Sequence, residues 1–223
     1  MTRPWVLLSV AMSVDGHIDD GSPQRLLLSN AADLDRVDAE RAAVDAIMVG
    51  AGTIRRDDPR LLVRNPERVA ARVAAGNPAQ PAKITLTRGG DLDPAARFFT
   101  AGDAEKIVYL PAGVPPPPRL DALATVVPAG DPLDPALVLR DLAGRGIRRL
   151  LVEGGTAVHT LLLTADLVDE IQLVVAPLFV GDPDAPRFVG AGAFPHDAGH
   201  RMRLAEARTL GDVVLLRYLL GRE

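Results

Sequence analysis

Arg148-Arg149-Leu150-Leu151-Val152-Glu153-Gly154-Gly155-Thr156-Ala157-Val158-His159-Thr160-Leu161-Leu162-Leu163 is the stretch that decides the fold class. Leu150, Leu151 and Val152 form an unbroken apolar run, the pattern of a parallel strand buried on both faces. Two glycines follow, and a helical apolar segment starts at once. Glycine permits a sharp backbone turn and lets a ligand approach where a Cβ would stand. The amides after it open a helix, whose unpaired N–H groups and dipole favour an anion. Two readings stand at this point: a cradle for phosphate or pyrophosphate, and a tight strand-to-helix turn with no ligand. Glu153 falls at the carboxyl end of the strand, where open α/β sheets place their chemistry.

Working outward, strand and helix signals alternate. Strands are expected over 6–12 and 46–49, which read as buried, and over 84–87, 107–110, 122–127 and 170–176. Ser29-Asn30 is a capping signal for a helix over 31–43, with Leu34 and Val37 turned inward and acidic residues in its first turns. Helices are also expected over 66–75, stopped by Gly76-Asn77-Pro78, and from Asp134-Pro135 to Leu142, closed by Gly144. The prolines of 111–118 read as a surface connection. Beyond 176 the pattern changes to a long loop region and then two strand-like runs, 202–209 and 213–220, separated by Leu210-Gly211-Asp212. These form an antiparallel hairpin. The expected fold is α/β, a mixed and mostly parallel sheet flanked by helices, in a single domain over 1–223.

Composition narrows the chemistry. The 223 residues are 48% hydrophobic and 24% charged, the balance of an ordinary globular chain. A net charge of −4 disfavours a nucleic-acid surface. Cysteine is absent, which excludes disulfides, thiolate zinc sites, iron–sulfur clusters and a cysteine nucleophile. The four histidines have no metal-site spacing, so no metal is expected. The first apolar run is too short for a membrane span and lacks a cleavage pattern. A cytoplasmic protein without membrane or nucleic-acid partners is expected.

Three further segments carry candidate chemistry. Ser13-Val14-Asp15-Gly16-His17-Ile18-Asp19 is either a simple turn or a loop over a ligand. Gly50-Ala51-Gly52-Thr53-Ile54-Arg55 begins like a dinucleotide fingerprint, but Arg55 replaces the third glycine. Asp57-Asp58-Pro59 reads as a turn or helix stop. Arg25, Arg41 and Arg64 have the planar fork that suits phosphate. No role is assigned to His17, His196 or His200, which are read as ordinary positions with the last two solvated. His159 is read as a packing or surface position rather than a catalytic one.

Together these segments resemble one family. Ser13-Val14-Asp15-Gly16, Asp45-Ala46-Ile47-Met48-Val49-Gly50-Ala51-Gly52-Thr53, Asp57-Asp58-Pro59-Arg60-Leu61-Leu62-Val63-Arg64, Val152-Glu153-Gly154-Gly155 and Leu167-Val168-Asp169-Glu170-Ile171-Gln172-Leu173, followed by Ala176-Pro177, match it in order and spacing. The chain is similar, from about residue 5 to 220, to the pyrimidine reductase of riboflavin biosynthesis, the reductase half of the bifunctional deaminase–reductase. The resemblance implies a dihydrofolate-reductase-like fold, a homodimer and NADPH as cofactor. It implies reduction of 5-amino-6-(5-phosphoribosylamino)uracil, or the related diaminopyrimidinone, to the ribitylamino form. The absence of cysteine implies a stand-alone reductase, since the deaminase zinc site needs thiolates. Carried over by position, the nucleotide contacts fall on Ala11, Leu27, Ser29, Thr53, Asp57 and the segment Gly154, Gly155, Thr156, Ala157, Val158, His159, Thr160 and Leu161. Arg88, after the strand at 84, is placed to meet the adenosine 2′-phosphate. Substrate contacts fall on Arg25, Arg41, Leu61, Arg64 and Glu153, with the arginines on the 5′-phosphate. Asp57 and Glu153 are the side-chain candidates for proton delivery. Arg25 stands where bacterial bifunctional members carry a smaller polar group, and 181–199 has the look of a distinct subfamily. Two other readings use the same motifs: a paralogous NADPH reductase of a dihydrofolate- or pteridine-like heterocycle, and a non-catalytic nucleotide-binding protein.

Overall fold

The computed structural model describes residues 2–24, 26–116 and 118–220. It holds nine strands and six helices within those residues. The chain gathers into two compact units. One comprises Asp38–Leu151 with the N-terminus up to Trp5; the other comprises Val6–Val37 and the chain from Val152 onward.

In the first unit, β2 (Ala46–Gly50), β3 (Ala82–Leu86), β4 (Lys106–Leu110) and β5 (Thr125–Pro128) pair parallel in the order β5-β4-β3-β2, with β6 (Arg149–Gly154) next to β2. Every residue of β2 and β3 is buried; β2 is an unbroken apolar run, whereas β3 carries Lys83 and Thr85 between its apolar residues. The helices α2 (Ala51–Asp57), α3 (Pro66–Ala74), α4 (Arg97–Thr100) and α5 (Pro135–Gly144) belong to the same unit. Asn65 caps α3 by accepting from the Glu67 and Arg68 amides, with Pro66 at the first helical position. The strand expected over 122–127 begins later, at Thr125. Leu120 is fully buried, and its carbonyl accepts from the Leu123 and Ala124 amides, so a turn takes the residues before it.

Lys83, the second residue of β3, is its one charged residue. It is fully enclosed, and its Nζ donates to the Phe98 carbonyl at 3.1 Å and the Ala101 carbonyl at 2.6 Å. Burial, reinforced by Lys106 and Arg41, pushes its ammonium down to about 8. The unfolded chain therefore binds more protons than the folded one above pH 8, so Lys83 contributes stability that grows as pH rises from about 8 toward 10.5. Denaturant titrations across that window are expected to show this rise in the native chain and to lose it in Lys83→Met.

In the second unit the order is β6-β1-β7-β9-β8, the division between the units falling inside β6, after Leu151. The strand β1 (Trp5–Ser13) pairs parallel with β7 (Glu170–Ala176), and β9 (Val213–Leu219) pairs antiparallel with β7 and with β8 (Arg203–Leu210). The result is a mixed, mostly parallel sheet ending in an antiparallel hairpin, as expected. Gly211 turns that hairpin at φ 64°, and the Asn30 amide holds it through the Leu210 carbonyl and the Asp212 carboxylate. Asn30 also accepts from the Asp33 amide and so starts α1 (Ala31–Ala42).

The inward face of α1 differs from expectation. Leu34 and Val37 are half-buried, whereas Asp33, Arg36 and Asp38 are buried. The reason is pairing. Arg36 donates to Asp33 at 2.7 Å, to Ser9 on β1 and to Gln172 on β7. Gln172 in turn donates to Glu170, which takes Arg217 of β9 at 2.5 Å. A polar chain paired from member to member can replace an apolar stripe, and here one oxygen, Asp33 Oδ2, stays buried without a hydrogen bond.

Candidate active site

The second unit contributes the strand–glycine–helix element. Val152 is buried, Glu153 half-buried, and Gly154 buried at φ 132°, a conformation that side-chain-bearing residues rarely adopt. The Gly154–Gly155 peptide is cis. Gly155 is the N-cap of α6 (Thr156–Thr164) and makes no side-chain cap bond, and no acidic residue lies in the first turn. The helix thus starts without the side-chain oxygen that usually satisfies its first amides, which is the condition an anion can exploit. Thr156 is half-exposed and Ala157 exposed, while Thr160 and Leu161 are half-buried.

Val158 and His159 turn the other way, into the protein. His159 is fully buried, with Nδ1 3.0 Å from the Phe188 carbonyl and the ring against Phe188. Burial pushes its imidazole down to about 4, so it is neutral at pH 7. Its folded value lies below the unfolded 6.5, so its contribution is complete above pH 6.5 and is lost as pH falls toward 4. The loss amounts to about 3 kcal/mol for a shift of this size. Melting temperatures measured from pH 7 to pH 4 are expected to fall more steeply in the native chain than in His159→Leu.

A strap from the long C-terminal loop runs over α6. The Thr156 hydroxyl donates to the Arg187 carbonyl, and Gly190 donates to the Thr160 hydroxyl at 2.8 Å. The same strap meets the loop after β1: Ile18 donates to the Pro186 carbonyl, Phe188 to the Gly16 carbonyl, and His17 Nδ1 lies 3.1 Å from the Ala185 carbonyl. Asp15 takes the Ser13 hydroxyl at 2.6 Å and the Val180 and Gly181 amides. The Ser13 bond leads in holding its carboxyl far below the usual range. Residues 13–19 form a turn whose polar groups fasten neighbouring chain. His196 departs from the solvated position expected for it. Its ring stacks on His200, its side chain is 9% exposed, and both ring nitrogens are buried without a hydrogen bond.

The other nucleotide candidates of this unit lie apart in sequence. Ala11 is half-buried on β1, packed against the cluster of Leu28, Val174, Ala176, Val213 and Leu215. Ser29 is half-buried just before α1, and Leu27 is 67% exposed. Arg25 lies outside the described residues.

The first unit contributes the remaining candidates. Gly50 ends β2 and caps α2, placing Thr53, half-buried, in the first turn and Asp57, half-buried, at the end. Asp58 stops the helix at φ 41°, and its carboxylate takes the Arg97 amide at 2.6 Å and Nε at 2.8 Å. Asp57-Asp58-Pro59 is therefore a helix stop. Arg88 follows β3, exposed and with no hydrogen bond or ion pair among the described residues. Leu61 is buried at φ 49°. Arg41 of α1 donates from Nη1 to the Leu62 carbonyl at 3.1 Å. Asp38, one helical turn before it and 3% exposed, accepts the Arg64 amide at 2.6 Å, the Asn65 amide at 3.2 Å and Arg68 Nη1 at 3.1 Å. The Arg64 side chain is 63% exposed, with Nε 3.7 Å from Asp38. Three of the substrate candidates, Arg41, Leu61 and Arg64, are thus gathered on one loop and the helix that holds it.

Asp38 was not among the residues expected to matter. The available signal was its place on α1, four residues after Leu34 and three before Arg41, in line with the expected inward stripe. Among the described residues, no three His, Asp or Glu side chains are grouped to hold a metal, and no helix is long and apolar enough to cross a membrane.

Residues 4–216 match the RibD C-terminal domain family. The chain belongs to that family. It is 35% identical over 222 residues to the 2,5-diamino-6-ribosylamino-4(3H)-pyrimidinone 5′-phosphate reductase of Methanothermobacter thermautotrophicus, covering 97% of this chain and 98% of that one. It is 33% identical to the protein of the same name from Archaeoglobus fulgidus, covering 86% and 89%. Among solved structures, RibD of Acinetobacter baumannii superimposes with a TM-score of 0.80 at 26% identity, over 98% of this chain and 58% of that one. The RibD C-terminal domain chain described here therefore spans little more than half of the RibD polypeptide it resembles.

Proposed function

We propose that this chain is an NADPH-dependent oxidoreductase that reduces a ribosylaminopyrimidine 5′-phosphate to its ribitylamino form in riboflavin biosynthesis. The observation that carries the reading is the glycine-capped start of α6, directly after Glu153, in a chain of this family. The start of α6 suits the diphosphate of a dinucleotide. The first amides of α6 and the Thr156 region would take the diphosphate, and Arg88 would meet the 2′-phosphate with a guanidinium that has no protein partner among the described residues. Ala11, Leu27, Ser29, Thr53 and Asp57 would line the rest of the nucleotide.

When bound, the cofactor supplies hydride to C1′ of the ring-opened ribosylamine. The protein's part is orientation. Arg41 and Arg64 would hold the 5′-phosphate, supported by buried Leu61, and Arg25 would add a third guanidinium. Glu153 would accept a hydrogen bond from the pyrimidine. Opening of the ribose ring leaves a C1′=N bond; hydride adds to carbon and one proton to nitrogen. Asp57 and Glu153 are the side chains offered for that proton, and water is the alternative donor. By family resemblance we also propose a cytoplasmic homodimer, for which sedimentation at equilibrium is the check.

The test is loss of reduced-nicotinamide absorbance with the phosphorylated 5-amino-6-ribosylaminouracil, with its 2,5-diaminopyrimidinone counterpart and with dihydrofolate in parallel. Turnover is expected with an aminopyrimidine phosphate and not with dihydrofolate. Turnover of dihydrofolate alone assigns a different heterocycle. Tight NADPH binding without turnover of any of the three makes the chain a nucleotide-binding protein.

A further inference from the structure

We propose that Asp38 is a positioning residue that sets Arg64 for the substrate phosphate. The inference rests on the reading of Arg41 and Arg64 as the phosphate clamp.

The loop between α2 and α3 is held at each residue from 61 to 65. Leu61 is buried at a left-handed φ. The Leu62 carbonyl takes Arg41 Nη1. Val63 is held at both its amide and its carbonyl by the Gln80 side chain, at 2.7 and 3.1 Å. The Arg64 and Asn65 amides both end on Asp38. Asn65 then caps α3. A connection needs only to reach from one helix to the next. Here the backbone is immobilised while one long cationic side chain, Arg64, stands 63% exposed. A rigid base under an exposed guanidinium is the arrangement of a preorganised anion contact.

Asp38 is the centre of this arrangement for a physical reason. A nearly buried carboxylate is unfavourable unless paired. Its oxygens are paired by two consecutive amides and by Arg68. Consecutive amides aimed at one carboxylate fix the peptide planes on both sides of Arg64, and with them the direction of its Cα–Cβ bond. The approach of Asp38 to Arg64 Nε, at 3.7 Å, adds a Coulomb restraint on the side chain itself. Asp38 and Arg41 lie three residues apart on α1 and so share a face of the helix. Both guanidiniums of the clamp are therefore referred to the same turn of α1: Arg41 by covalent attachment, Arg64 through Asp38.

The test is steady-state kinetics of Asp38→Asn, Arg64→Ala and the double variant, on the aminopyrimidine riboside with and without its 5′-phosphate. Asn keeps the size but loses the charge and one acceptor. Asp38→Asn is expected to raise KM for the phosphorylated substrate about tenfold, with kcat changed less than about twofold, because charged hydrogen bonds are at stake rather than the reacting atoms. KM for the dephosphorylated riboside should not move. The double variant should behave as Arg64→Ala alone, since the two residues act as a unit. A KM shift of equal size on both substrates, or effects of the two variants that multiply, would overturn the proposal. If Arg64→Ala raises KM and Asp38→Asn does not, only the role of Asp38 falls. If Arg64→Ala itself leaves KM unchanged, the phosphate reading falls and this inference with it. Should Asp38→Asn fail to fold by circular dichroism, Asp38→Glu takes its place. It keeps the charge, displaces the carboxylate by one methylene, and must show the same discrimination between the two substrates for the proposal to stand.

Discussion

Replacing Gly154 by alanine is expected to remove most of the reductase activity and to lower stability together. At φ 132° a Cβ would eclipse the carbonyl group of the preceding residue, and such conformations cost about 1–3 kcal/mol for residues other than glycine. In a chain of this length that corresponds to a fall in melting temperature of roughly 3–10 °C. The functional loss follows from place. Gly154 is the last residue of β6 and precedes the N-cap of α6, so relaxing its φ rotates the first amides of the helix away from the position proposed for the diphosphate. The KM for NADPH is expected to rise by about tenfold or more, the effect of losing one or two charge-assisted hydrogen bonds. Calorimetry and steady-state kinetics check the two halves separately. A variant that melts lower yet keeps its KM for NADPH would make the glycine pair a structural turn and leave the nucleotide to be placed elsewhere.

The double substitution Arg41→Ala with Arg64→Ala is expected to have the largest effect on substrate selection. Each guanidinium that meets a phosphate in a partly enclosed site contributes about 1.5–3 kcal/mol, so the pair should raise KM for the phosphorylated substrate by at least about a hundredfold. The dephosphorylated riboside should be affected less than about threefold, because the amine and pyrimidine contacts remain. The measurement is the ratio of kcat/KM values for the two substrates. A ratio unchanged from the native enzyme would remove both arginines from the phosphate and favour a heterocycle without one. Arg41 also donates to the Leu62 carbonyl, so melting temperature has to be followed alongside.

The inner strands of the sheet were legible because they are buried on both faces, unlike β5 and β8 at its edges. The apolar run of β2 lies on the expected 46–49 with Gly50 added, β7 runs over the expected 170–176, and β3, where Lys83 and Thr85 alternate with apolar residues, begins two residues before the expected 84–87 and ends one before it. The hairpin was legible from Gly211, whose positive φ suits the two-residue turn between β8 and β9. The four-residue α4 gave no periodicity to read. The start of β5 was misplaced because the turn before it is held by the carbonyl of a buried leucine, not by glycine or proline. The polar face of α1 was misread for a related reason. Asp33, Arg36 and Asp38 look like solvated residues until their partners on β1, β7 and the 61–65 loop are in place.

By itself the sequence determined the mixed sheet with its terminal hairpin, the strand–glycine–helix element and the family. These depend on apolar runs, glycine conformations and residue order, all of which are local or linear properties of the chain. Tertiary structure alone decided that His159 is neutral and enclosed, that Asp15 fastens a strap, and that Asp38 governs the loop of Arg64. Burial and pairing with residues 26 or more positions away set those properties. A charged side chain carries no mark in the sequence of the dielectric or the partners that folding will bring to it.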